Sequence, residues 1–256
     1  MCTGPGPGYS YLVTPDGQMF RMRSMGAVYG AGKKRLGTKV TYAGESSGVA
    51  AIRREAELLA HALGPEMDLA GEKTLLIETT LGHDPGKFFS ASTSYLTIFE
   101  RTATGWVRQA AENDPAEGSS VTGKESSKVA EDTRFPFDRA GLVAAGEATG
   151  EWLAALDQGR EKDARLALAE QFRDEVDVGA RWIQMIQYRR GVTPTTRVEL
   201  YRLQIREAPS GNARAAMFQF EVAGQNQARF IERVSAFEEE GTWRVSGYAL
   251  RPISGP

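Results

Sequence analysis

The chain has 256 residues, 41% hydrophobic and 25% charged, which suits one large globular domain or two ordinary ones with a core that needs no disulfides or metals. A net charge of −2 supplies no global field toward nucleic acid or acidic membranes, so nucleic-acid binding is not expected. One cysteine, Cys2, excludes an intrachain disulfide, and two histidines, His61 and His83, exclude a His-rich or Cys-rich metal site within one chain; no metal and no cofactor are expected. No apolar run reaches the length of a transmembrane helix, and the chain as it stands opens on no signal peptide.

In chain order, residues 1–8 are rich in Gly and Pro and read as a flexible leader. Tyr9–Val13 reads as a strand, followed by turn chemistry at Pro15-Asp16-Gly17 and a return strand over Met19–Val28. Gly30–Gly37 is a basic turn, and Lys39–Tyr42 a third strand. The spacing of Val49, Ile52, Ala56, Leu59 and Leu63 predicts a helix over Val49–Leu63, capped by Ser46 or Ser47 and ended by Gly64-Pro65. Lys73–Leu81 and Ser92–Arg101 carry β-forming residues, and Trp106 follows a Thr104-Gly105 turn. Strands, helix, strands is an α+β order and not alternating βαβ.

Glu, Asp, Ser and Gly dominate residues 110–141, which read as a polar linker between an N-terminal α+β domain (9–109) and a C-terminal one (142–252). In the latter, Ala148, Trp152, Ala155 and Leu156 mark a helix closed by Asp157-Gln158-Gly159. Asp163–Phe172 reads as a second helix. Gly179–Arg190 reads as a third, with Trp182, Met185, Ile186 and Arg189 at helical spacing and Gly191 just past its end. Four strands follow: Arg197–Arg206, whose alternation slips between Leu200 and Tyr201 as a β-bulge would make it; Ala215–Val222; Ala228–Phe237; and Thr242–Leu250. In the last strand, alternation sets Trp243, Val245 and Gly247 against Arg244, Ser246 and Tyr248. The expected class is α+β in two domains, each an antiparallel sheet plus helices. The second has helices followed by a curved four-stranded antiparallel sheet, a cone-like outline.

Three features stand out over residues 142–251: Trp152-Leu153-Ala154-Ala155-Leu156-Asp157-Gln158-Gly159, then Phe172, Trp182 and Arg189-Arg190-Gly191, and finally Gly241-Thr242-Trp243-Arg244-Val245-Ser246-Gly247-Tyr248. With them the segment resembles a bacterial domain-of-unknown-function family, the one numbered four-zero-one-nine. The resemblance implies a cone-shaped fold of the nuclear-transport-factor-like or cystatin-like type in a small exported or envelope domain. It lends no catalytic residue.

Few residues invite chemistry. Gly26 to Lys34 is superficially similar to a phosphate-binding loop, but the glycine spacing is one too long and Lys34 stands where the hydroxyl belongs. Lys33, Lys34 and Arg35 remain candidates for weak, salt-sensitive anion contact. His83-Asp84 has the types of a general-base pair inside an ordinary Gly-Pro turn, with no nucleophile motif beside it. If Met1 stands in place of a removed signal sequence, Cys2 is where a bacterial lipoprotein carries its lipid, and the Gly/Pro run is a tether. Arg189, Arg197, Tyr201, Gln219 and Tyr248 are candidates to line a pocket on the concave sheet face. Surface ion pairing with Glu199, Glu221 and Glu232 is the plainer reading of the arginines. The leading functional expectation is a non-enzymatic periplasmic or envelope protein binding a partner protein or small ligand. The alternatives are a small-molecule enzyme using the cone pocket and a self-associating structural module.

Overall fold

A computed structural model describes residues 10–29, 35–44, 48–81, 93–109, 137–173, 178–205, 214–225 and 228–253. They fall into two compact units. The first takes residues up to Leu12 and Gln18–Pro136; the second takes Val13–Gly17 and Phe137–Ile253. Both are α+β, with mostly antiparallel sheets. The expected leader, Cys2, Lys33, Lys34, His83-Asp84 and most of the 110–141 linker lie outside the described residues.

The first unit has strands β1 (Ser10–Val13), β2 (Met19–Tyr29), β3 (Arg35–Ala43), β4 (Thr74–Leu81), β5 (Thr93–Thr102) and β6 (Gly105–Arg108), neighbours in that order. Helix α1 (Val49–Leu69) joins β3 to β4, and these two strands pair in parallel. The segment is therefore one βαβ unit, which the strand-helix-strand reading had set aside; a crossover helix returns the chain to the same end of the sheet. The predicted stripe of Val49, Ile52, Ala56, Leu59 and Leu63 is buried throughout. It packs over a sheet whose Val40, Tyr42, Leu75, Ile77 and Phe99 are almost fully covered. Each fully buried Leu or Ile contributes about 1.5–3 kcal/mol.

Two expectations for α1 fail. Ser46 and Ser47 lie outside the described residues, and the N-cap is Gly48 with no side-chain cap bond. The helix also runs past Gly64-Pro65 to Leu69. Pro65 deprives one carbonyl of its i+4 donor, that of His61, but His61 is exposed and water can serve it. Gly64 is required for close approach: a Cβ there would stand 2.7 Å from Trp106 Cδ1. The Trp106 indole N–H donates to Gly64 O (3.2 Å) and Asp68 Oδ1 (3.0 Å), fixing β6 to the second half of the helix. Tertiary contact overrides the local stop signal.

The second unit holds α2 (Arg139–Asp157), α3 (Glu161–Leu166), α4 (Glu170–Arg173) and α5 (Val178–Val192). An antiparallel sheet follows, of β7 (Thr196–Ile205), β8 (Ala215–Ala223), β9 (Arg229–Glu239) and β10 (Thr242–Pro252). Asp138 caps α2 by accepting from Gly141 N at 2.8 Å. The single helix expected over Asp163–Phe172 is broken into α3 and α4. Leu168 bridges to Val245 and Ala169 N–H donates to Val245 O (2.8 Å), so the edge of β10 draws the chain out of helical geometry. Gly191 lies inside α5, and Thr193 (φ 46°) takes the left-handed position instead. Its hydroxyl donates to Arg190 O at 2.7 Å, which offsets the strain. The β9–β10 hairpin closes on Glu240 and Gly241, both at positive φ, as a two-residue primed turn demands.

Two register shifts set which side chains face the helices. One falls between Glu199 and Tyr201, agreeing with the bulge expected there. The other falls between Val245 and Gly247, and reverses the expected facing of Tyr248. Beyond the extra residue, Ser246, the alternation restarts, so Tyr248 and Leu250 join Trp243 and Val245 on the core side. That core gathers Trp152, Leu153, Phe218, Val222, Val234 and Val245, with Trp182 edge-on to Trp152 at 6.4 Å.

Candidate functional site

On the helix-facing side of the second unit's sheet, five polar residues from five elements meet. Asp157 is the last residue of α2. Arg189 completes the inward stripe of α5 and is only 4% exposed. Arg197 stands early in β7, opposite Val222. Glu232 occupies an inward position of β9 between Phe230 and Val234, with zero exposure. Tyr248 reaches the group because of the Ser246 bulge.

Glu232 is the centre of the cluster. Its Oε1 accepts from Arg189 Nη1 (2.9 Å) and from the Tyr248 hydroxyl (2.7 Å), and its Oε2 from Arg197 Nε. Arg189 Nη1 also donates to Tyr248 Oη at 3.3 Å. The outer acid, Asp157, accepts from Arg189 Nη2 at Oδ1, and from Arg197 Nη1 at Oδ2 (3.0 Å) and Nη2 at Oδ1 (3.4 Å). Asp157 is 38% exposed at its side chain and Arg197 21%, so the cluster is closed inside and open on one side. Aromatic rings floor it. Arg189 lies over Tyr248 (5.9 Å), Arg197 over Phe220 (6.0 Å), and Tyr248 tilts against Trp152 at 5.3 Å.

The charges balance: two guanidiniums against two carboxylates. Burial alone lowers the Arg197 pKa. Hydrogen bonding to Asp157 and the field and hydrogen bond of Glu232 more than reverse this, so the guanidinium is held protonated above its ordinary value. Burial first, then the negative field of Glu232, pushes the Tyr248 phenol up, so it stays a neutral donor. The arrangement can hold charge and orient an anion.

Of the five candidate pocket residues, three come together here: Arg189, Arg197 and Tyr248. Tyr201 and Gln219 do not; they face each other across β7 and β8 on the opposite side of the sheet, both buried. There, Gln219 Oε1 accepts from Arg233 Nε (3.1 Å) and Nη2 (2.9 Å). Glu199 and Glu221 pair with Arg202 and Arg229 and not with the candidate arginines; of the three acids in the plainer ion-pair reading, Glu232 is the one that Arg189 and Arg197 meet. Arg35 pairs with Glu72, which also accepts from the Thr38 hydroxyl at 3.0 Å. Asp157 was missed as a partner, whereas Glu232, named as a surface ion-pair partner of these arginines, pairs with both but is buried. Asp157 was read as a helix stop, yet both guanidiniums converge on it. Glu232 had a usable signal: an acid between Phe230 and Val234 in an alternating strand demands a buried cation.

The first unit holds a concavity of its own sheet. A cleft of about 190 Å³ is lined by Gln18, Met19, Phe20, Tyr42, Ala43 and Glu55. The Tyr42 hydroxyl donates to Glu55 Oε2 at 3.0 Å, and burial pushes that phenol well above its ordinary range.

No family model matches the chain, and comparison with curated proteins and with solved structures returns no match.

Proposed function

We propose that this is a non-enzymatic protein of the bacterial periplasm or cell envelope that binds a small ligand or partner protein through its second unit. In this reading the two units are separate domains, and the second is cone-like, of the outline shared by the nuclear-transport-factor-like and cystatin-like folds. The helices-then-sheet order and the run from Trp152 to Gly159 support kinship with the domain-of-unknown-function family named above.

One observation carries the binding reading. The polar cluster of the second unit is balanced in charge and hydrogen-bonded throughout, over an aromatic floor, and opens to solvent at Asp157 and Arg197. A general acid or base needs a titrating group aimed at a reacting atom in a water-excluding cavity. Here the most buried acid, Glu232, accepts from three donors. What faces outward is the Asp157 carboxylate seated on Arg197 and Arg189, a recognition chemistry already satisfied within the chain.

The envelope reading rests on Cys2 with its Gly/Pro run and on the family resemblance. It is tested by expressing the natural gene from its own start and separating periplasm, membranes and cytosol. Recovery in periplasm or membranes is expected. Recovery in the cytosol alone overturns it.

A further inference from the structure

Resting on the binding reading above, we propose that Arg189 and Arg197 form a carboxylate-binding site that Asp157 occupies as a built-in competitor, so that a ligand's carboxylate binds by taking its place.

The charge arithmetic singles out Asp157. Arg189 and Arg197 carry +2, and Glu232, fully buried among them, carries −1. Without Asp157 the group is left at +1, with Arg197 Nη1 and Nη2 and Arg189 Nη2 all directed at one point. Glu232 is the permanent inner counter-ion; no solvent reaches it. Asp157 differs on two counts. Its side chain is 38% exposed, so the position it fills is reachable from outside. It is also the last residue of α2, where the negative end of the helix dipole works against a carboxylate. The acid that closes the cluster is thus the one held least favourably.

The donors specify the ligand class. Each oxygen of Asp157 receives a guanidinium N–H from β7, and Oδ1 a further one from α5. Two oxygens in one plane against two fork-shaped donors is the geometry of a carboxylate. Guanidinium forks also take phosphate, but the acceptor already seated here is a carboxylate, and a ligand's carboxylate reproduces its bonds oxygen for oxygen. The ligand is therefore a small carboxylate, or an acidic side chain on a partner.

Calorimetric titration of the full chain with acetate, succinate, inorganic phosphate and a short capped peptide containing one Glu tests this. Asp157→Ala is expected to bind succinate at least tenfold more tightly than the unaltered chain, and Arg197→Ala in that background to lose the gain. Asp157→Asn keeps the shape, so it reports even if Asp157→Ala fails to fold; an intermediate gain is expected. A free carboxylate and a Glu peptide binding alike point to a small ligand, and a tighter peptide to a partner protein; either supports the site. Unchanged succinate affinity in the folded variants, or phosphate binding as tightly as the carboxylates, overturns it. Cell fractionation is independent of this titration, so the site can fail while the envelope reading stands.

Discussion

Removal of the buried carboxylate by Glu232→Ala leaves two guanidiniums without their inner counter-ion. Each is in contact with Glu232, and a contact ion pair is worth about 4 kcal/mol at an effective dielectric near 20. Against this stands the desolvation of three ions, several kcal/mol apiece, which the folded protein already bears. Once the acid is gone the cost of the two guanidiniums remains with only the part-exposed Asp157 to offset it, and losses of about 3–5 kcal/mol are typical of broken buried pairs. At roughly 4 °C per kcal/mol for a unit of about a hundred residues, the fall in Tm is about 12–20 °C. Urea unfolding followed by tryptophan fluorescence measures it well, because Trp152 and Trp182 lie within the affected core. Glu232→Gln, which keeps an acceptor but no charge, should lose less. A loss below about 1 kcal/mol for Glu232→Ala would place the pair among exposed ones and refute the reasoning. A double-mutant cycle with Arg197→Ala should give a coupling above about 1 kcal/mol, since the two side chains touch.

Asp138→Ala removes the α2 cap and should cost about 1 kcal/mol at neutral pH. The Asp138 carboxyl is held below its ordinary 3.8, first by the backbone bond from Gly141 and then by Arg214. A depressed acid stabilises above its unfolded pKa and loses that contribution as pH falls through the folded one, so circular dichroism should show the penalty fading below pH 3.8. Gly64→Ala gains about 1 kcal/mol of helix propensity. It also drives a Cβ into the hydrogen-bonded Trp106 ring, an overpacking of about 1–3 kcal/mol, so a net loss on thermal melting is expected. Gly150→Ala, with nothing within 4 Å, should instead raise stability by about 0.5–1 kcal/mol. Deletion of Ser246 removes the bulge but leaves Gly247 to follow Val245 opposite Ser235, so Tyr248 and Leu250 stay on the core side and urea unfolding of the second unit should remain cooperative.

Much of the α+β class was legible in the sequence, because helical and alternating periods survive wherever one face of an element is buried. The stripe from Val49 to Leu63 and that of Trp182, Met185, Ile186 and Arg189 illustrate it. Long-range effects were not legible. Pro65 reads as a stop, and only the packing of Trp106 on Gly64 shows why the helix continues. The parallel pairing of β3 with β4 depends on which strands a crossover brings together, and no local pattern records that. The candidate site was half legible. Arg189 inside an apolar stripe and Glu232 at an inward strand position were both visible anomalies. Tyr248 was assigned to the wrong face because one extra residue, Ser246, inverts the alternation beyond it. Tyr201 and Gln219 were grouped with the arginines because a strand's two faces cannot be told apart when both are buried.

Recognition through the second unit is the central claim, and nitrogen-15 NMR of the unaltered chain tests it most directly. Succinate is titrated in while the arginine Nε–Hε resonances are followed. The account predicts that Arg197 and Arg189 shift first and saturate together, while Arg233, bonded to Gln219 on the opposite face, stays still. Resonances of Arg189 and Arg197 that never move, or that move no more than those of arginines across the whole surface, would contradict it.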